Sequence, residues 1–195
     1  MNLQAWRPAH ADDLDAVREA AFALLARGVA DRRSAFHTPT LATIGSDGAP
    51  RLRTLVLRGF DAASRTLRLH TDRRAAKAAE IIAEPRVALH AYDPGQRIQL
   101  RLRGLASLHS DDDLAAAGWN ASRDFSRMCY AIQPGPGQPI AVPPPAPTDA
   151  RSGRAHFAVI SMVVDELEWL WLAAEGHRRA RITWGGQPSA GWLVP

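Results

Sequence analysis

Residues 98–108 alternate without a break, with Ile98, Leu100 and Leu102 on one side and Gln99, Arg101 and Arg103 on the other. A period of two fits a strand with one face in a core and one face out of it. Such a strand needs partners, and the flanking sequence supplies them. Residues 40–44, 51–60, 66–70 and 87–92 read as strands, as do 157–164, 168–172, 179–184 and 192–194. Ser46-Asp47-Gly48, residues 61–65 and Pro94-Gly95 are turns, with Gly tolerating positive φ. Helical spacing of Leu14, Val17, Ala21, Leu24 and Leu25 predicts a helix over 12–27, with Gly28 at its C′ position. Further helices are expected over 73–83, capped by Asp72 and closed by Pro85, and over 111–119. Residues 133–149 are rich in Pro and Gly and read as a surface loop, too short to separate two domains. The expectation is one domain over 1–195, mainly β with flanking helices (α+β), built as an antiparallel barrel. Period alone does not say which barrel.

Composition narrows the function classes. The chain has 195 residues, 46% of them hydrophobic, enough for a proper core. One cysteine, Cys129, excludes an internal disulfide and fits a reducing compartment. No apolar run reaches the roughly 20 residues that span a bilayer, and the N-terminus shows no apolar signal region. A cytoplasmic protein with no membrane partner is expected. Net charge is +4, but the arginines are scattered and Lys77 is the only lysine, so nucleic acid is not expected. Seven histidines without ligand spacing and a single thiol give no metal site.

Four segments carry candidate chemistry. In Arg51-Leu52-Arg53-Thr54-Leu55-Val56-Leu57-Arg58, Arg53 and Arg58 interrupt an apolar strand. Each needs an anion or open water; five residues apart, they face opposite sides of a regular strand. Both could equally lie at strand ends and reach solvent. In His70-Thr71-Asp72-Arg73-Arg74-Ala75-Ala76-Lys77 a strand runs into a helix start, where free N–H groups, a hydroxyl and cations suit a phosphate. A capped surface helix explains the same residues. Gln99 can donate and accept at the edge of a heterocycle, or simply sit on an exposed face. Trp169 and Trp171 precede basic residues at alternate positions, His177, Arg179 and Arg181. That row suits an anionic ligand held against aromatic rings, or a core strand followed by a basic hairpin.

Taken in order, these segments resemble the pyridoxamine 5′-phosphate oxidase-like flavoproteins over nearly the whole chain. The resemblance is carried by residues 41–44 with the Asp47-Gly48 turn, by 53–60, by His70-Thr71-Asp72 with Lys77, by 85–89, by 99–104, and by Glu168-Trp169-Leu170 through Arg181. The chain looks most similar to the small FMN-binding relatives of the oxidase. The resemblance implies an FMN-binding antiparallel split β-barrel that works as a homodimer on a small-molecule substrate, with sites at the subunit interface. It implies cofactor contacts from Arg53, Thr54, Leu55, Val56, Leu57 and Arg58, from His70, Thr71 and Lys77, from Gln99, and from Trp171 and Arg181. Of the family's basic triplet only Lys77 survives, and Arg73 or Arg74 is expected to replace the lost arginine. The oxidase's Arg-x-His appears reversed as His177-Arg178-Arg179, and Trp119, Arg123 and Ser126 echo the earlier substrate segment. His177, Arg179 and Arg123 are therefore the substrate candidates. The expected activity is an FMN-dependent oxidoreductase. The alternatives are a non-catalytic flavin store or sensor, or a split barrel that binds deazaflavin or haem.

Overall fold

A computed structural model describes residues 7–174 and 176–195. The N-terminal stretch read above for a signal region lies largely outside them. Nine strands form one antiparallel sheet: β1 (Thr40–Ile44), β2 (Pro50–Thr54), β3 (Leu57–Asp61), β4 (Thr66–Asp72), β5 (Arg86–Asp93), β6 (Ile98–His109), β7 (Phe157–Trp171), β8 (Arg178–Thr183) and β9 (Ser189–Leu193). The main path runs β2-β1-β5-β6-β7-β4-β3, and β8 and β9 branch from β7. The sheet is not closed: β2 and β3 sit at opposite ends of that path. Four α-helices accompany it: α1 (Leu14–Ala30), α2 (Ala76–Ala83), α3 (Asp113–Ala121) and α4 (Asp124–Ala131).

The segment 51–60, expected as one strand, is two. β2 pairs with β1 and β3 pairs with β4, so the chain crosses from one sheet edge to the other at Leu55 and Val56. That crossing opens the split. α1 packs along it, burying Val17, Ala21 and Leu25 and setting Phe22 edge-on to Phe60 and stacked on Trp184. It runs past its expected end, continuing through Gly28 to Ala30. Gly28 is needed not for a left-handed cap but for space, since a Cβ there would lie 2.5 Å from the Phe36 carbonyl oxygen.

The inner sheet face and α1 enclose one large core, in which Leu41, Leu67, Leu69, Leu89, Leu100, Leu102, Ile160 and Trp169 are wholly buried. A smaller cluster of Trp119, Tyr130, Phe157 and Val159 seats α3 and α4 on the start of β7. β7 was expected as two strands because its apolar period breaks at Asp165. The cause is a bulge: Arg103 pairs with Glu166 and Gly104 with Val164, leaving Asp165 over. The inward set shifts from Ile160, Met162 and Val164 to Leu167, Trp169 and Trp171. Residues 133–149 are irregular, and α4 before them was not expected at all.

Candidate functional site

The first cluster forms where α2 lies against β1, β2 and β4. Lys77 and Glu80, three residues apart, share one face of α2. Arg53, opposite Leu41 in the β1–β2 register, points inward to that face. Its guanidinium donates to Glu80 Oε2 at 2.8 Å and to the Thr43 hydroxyl, which itself donates to Glu80. Lys77 Nζ donates to the Thr71 hydroxyl at 3.3 Å. Burial, and then the nearby Arg53 charge, push the Lys77 ammonium below its usual range, against the weaker opposing pull of Asp72 and Glu80. One carboxylate thus faces two cations, and Lys77 has a neutral oxygen as its hydrogen-bonding partner. α2 begins at Ala76 with no side-chain cap on its first turn. Asp72, expected as that cap, ends β4 and grips Arg74 instead, at 2.6 Å.

Arg74 also donates to the carbonyl oxygens of Tyr130 and Ile132 and to Gln133, and Arg73 pairs with Asp111 at 3.1 Å. Both are paired within the chain, as Arg53 is with Glu80.

Beside this cluster the crossing segment lines a cavity of about 380 Å³. Thr54, Leu55, Val56, Arg58 and His70 form one wall, and Phe125, Ser126, Cys129 and Tyr130 of α4 form the other. Leu57 is buried beneath it in the core. Arg58, His70 and Ser126 also line a neighbouring cavity of about 460 Å³, which Arg123 and Ser122 share. Arg58 reaches both because it is the extra residue of a bulge, with Leu57 paired to Leu69 and Gly59 to Arg68. His70 lies edge-on to Phe157, 4.8 Å between ring centres, and its Nδ1 is 3.5 Å from the Ser122 hydroxyl. Burial, then Arg58 and Arg68, hold its pKa down to about 4, so the imidazole is neutral near pH 7.

The remaining candidates lie elsewhere. Gln99 sits on the outer sheet face, 3.1 Å from His90 Nε2. Arg179 and Arg181 flank the buried Glu168 at 2.7 and 3.0 Å, and Arg101 approaches it at 3.3 Å. His177 Nδ1 accepts from the Ala173 N–H at 2.9 Å and lines a separate small cavity with Arg179 and Asp12. Trp171, expected to reach the flavin ring, shares the inward parity of Leu167 and Trp169 and is packed in the core. Its indole nitrogen has no partner there. The outward position next to it is Leu170, half-buried.

Sequence reasoning missed Glu80, which pins Arg53, and the α4 wall. Glu80 is invisible because a counter-charge on a helix belongs to no strand pattern. For α4, Ser122 and Asp124 gave a helix-start signal that went unused. Among the described residues no three His, Cys, Asp or Glu side chains gather as metal ligands, and no helix is long and apolar enough to cross a membrane.

Comparison with known proteins bears on this arrangement. The family model described as "Pyridoxamine 5′-phosphate oxidase, FMN-binding domain" matches residues 20–110, which hold the α2 cluster and the crossing segment. The pyridoxine/pyridoxamine 5′-phosphate oxidase of Rhizobium meliloti is 37% identical over 73 residues, 37% of this chain and 34% of that protein. The match to the Microcystis aeruginosa oxidase covers 41% of that protein, so the chain aligns with less than half the length of these two relatives. The Chromobacterium violaceum oxidase is 27% identical over 78% of this chain and 74% of its own. In structure, an FMN-binding protein of Nostoc punctiforme related to pyridoxamine 5′-phosphate oxidase superposes with a TM-score of 0.74 at 28% identity, covering 91% of this chain and 96% of its own. PhzG of Burkholderia lata shares the fold, with a TM-score of 0.73 at 19% identity and 98% of each chain covered. With its open nine-stranded split barrel, the chain is similar in sequence and in fold to the pyridoxamine 5′-phosphate oxidase-like FMN-binding proteins.

Proposed function

We propose that the chain is an FMN-dependent oxidoreductase whose flavin phosphate is held by Arg53, Thr71 and Lys77. The observation that carries this is Lys77: a half-buried ammonium beside a guanidinium, with a neutral hydroxyl as its hydrogen-bonding partner. A phosphate dianion there relieves both the burial and the like-charge repulsion. The uncapped start of α2 adds N–H groups aimed at the same place. The cavity along Thr54, Leu55 and Val56, next to the phosphate cluster, suits the ribityl chain and an apolar ring. The residues present therefore fit FMN. When bound, a flavin supplies two-electron transfer at its N5.

The chain's own groups position and screen. Thr54–Val56 offer backbone along one wall, and Phe125, Ser126, Cys129 and Tyr130 of α4 face it from the other. Arg58, Arg123 and Ser126 line the far cavity and orient an anionic substrate. Neutral His70, between the two cavities, can accept or donate one hydrogen bond without adding charge. His177 and Arg179 lie in their own small cavity and are not part of this wall.

Gln99, Arg181 and the phosphate cluster do not meet within one chain. We propose that they meet across a homodimer, the outer face of β6–β8 of one protomer completing the site of its partner. The outer sheet face carries exposed apolar side chains, Leu105 on β6 and Val163 on β7 beside the arginine–glutamate rows and Leu52 on the edge strand β2. The single cysteine is consistent with a home in the reducing cytoplasm. The test is a titration of purified protein with FMN, following quenching of flavin fluorescence, and the same titration with Arg53→Ala. Tight binding that falls at least about tenfold in the variant supports the reading. Equal binding by both proteins removes Arg53 from the site.

A further inference from the structure

The 460 Å³ cavity holds more positive charge than one phosphate can answer. Arg32, Arg58, Arg68 and Arg123 all line it, and no Asp or Glu does. Buried or half-buried carboxylates elsewhere match their arginines: Arg53 to Glu80, Arg74 to Asp72, and Arg179 and Arg181 to Glu168. None of the four cavity guanidiniums has a hydrogen bond or ion pair among the described residues. Asp61 feels the field of Arg68 but makes no ion pair with it. Arg68 is laid across Gly59, where a Cβ would come within 2.5 Å of its Nε, so the glycine gives the guanidinium its bed. Arg58 and Arg68 are both close enough to His70 to depress its protonation.

A monoester dianion carries two negative charges, which two guanidiniums neutralise. Arg58 and Arg123, with the Ser126 hydroxyl, account for one such group. Arg32, just past α1, and Arg68, on β4, remain. Four like charges around a concave wall repel one another and raise the local anion concentration. We propose that Arg32 and Arg68 form a second anion locus, so that this cavity takes a small substrate bearing two separated anionic groups, a phosphate or carboxylate at each end. The inference rests on reading the cavity as the substrate side of the flavin site. It separates this chain from a site built for a single phosphate ester.

Glycerol 3-phosphate and 3-phosphoglycerate share a three-carbon skeleton and differ by one carboxylate, so they isolate the second locus. Both are titrated calorimetrically into FMN-loaded protein at low salt. The expected result is that 3-phosphoglycerate binds about tenfold tighter. Arg68→Gln should abolish that preference while leaving glycerol 3-phosphate affinity within about twofold, whereas Arg58→Gln should weaken both probes. Arg68 is exposed and unpaired, so thermal melting of its variant should match wild type. Equal affinities in the wild type, or an Arg68→Gln variant that loses both probes alike, overturns the proposal. FMN titration in parallel keeps the two readings apart. A two-anion preference in protein that binds no FMN sinks the flavin reading and leaves this one standing. FMN binding without the preference does the reverse.

Discussion

Lys77 is held where its charge is unwelcome to the folded chain. Replacing it with Met removes a half-buried ammonium that burial and Arg53 both disfavour. The expected outcome is unchanged or raised thermal stability of the ligand-free protein, together with FMN affinity lowered about 10- to 100-fold; melting curves and flavin titration read the two effects separately. His70 gives a pH signature. Its folded pKa lies near 4, below the ordinary 6.5. The unfolded chain therefore binds the extra proton between those values, and stability is full above about pH 6.5 and lost as pH falls toward 4. Denaturant melts across that window should show the slope, and His70→Asn should flatten it. At this scale the gathering of Arg53, Thr71 and Lys77 beside α2 was legible, because a cation inside an apolar strand and a basic helix start are visible in the letters. Trp171 was not: its parity is decided by a bulge several residues upstream.

At the scale of elements, two bulges do what regular alternation cannot. The one at Arg58 turns that side chain into the cavities, and the one at Asp165 resets the inward face of β7. Gly104 sits at the second, where a Cβ would approach the Val163 carbonyl oxygen to 2.0 Å. Gly104→Ala must push the β6–β7 ladder apart, and a loss of about 3 kcal/mol or more is expected in urea unfolding. A wild-type midpoint would remove this role for the glycine. β1, β5 and β6 were read within a residue of their bounds because each is half-buried and strictly alternating. The β2–β3 break was hidden, since Leu55 and Val56 continue the apolar run while the chain changes sheet edges. Pairing partners, not local period, decide where a strand ends there. α2 starts later than expected for a related reason: Asp72 satisfies Arg74 rather than the helix.

At the scale of the whole molecule, an open sheet with a half-apolar outer face needs a cover. Leu52, 66% exposed on edge strand β2, stands in one cross-strand row with Ala42, Ala88 and Arg103. If a second copy of the chain covers this face, Leu52→Asp should shift light-scattering mass from dimer toward monomer and lower FMN occupancy together. A monomeric wild type with full FMN occupancy contradicts the shared-site arrangement. An antiparallel barrel with helices was readable from the order of strands and helices, and the split-barrel class from the family resemblance. The apolar patch on the outer face was not, because outward residues look like any polar face until strands are placed side by side. The central claim is that the Arg53–Thr71–Lys77 cluster reads a phosphate, and riboflavin tests it most directly because it is FMN without one. Fluorescence titration should give FMN at least about 100-fold tighter binding than riboflavin, with most of that gap gone in Lys77→Met; equal binding of the two flavins by the wild-type protein would contradict the account.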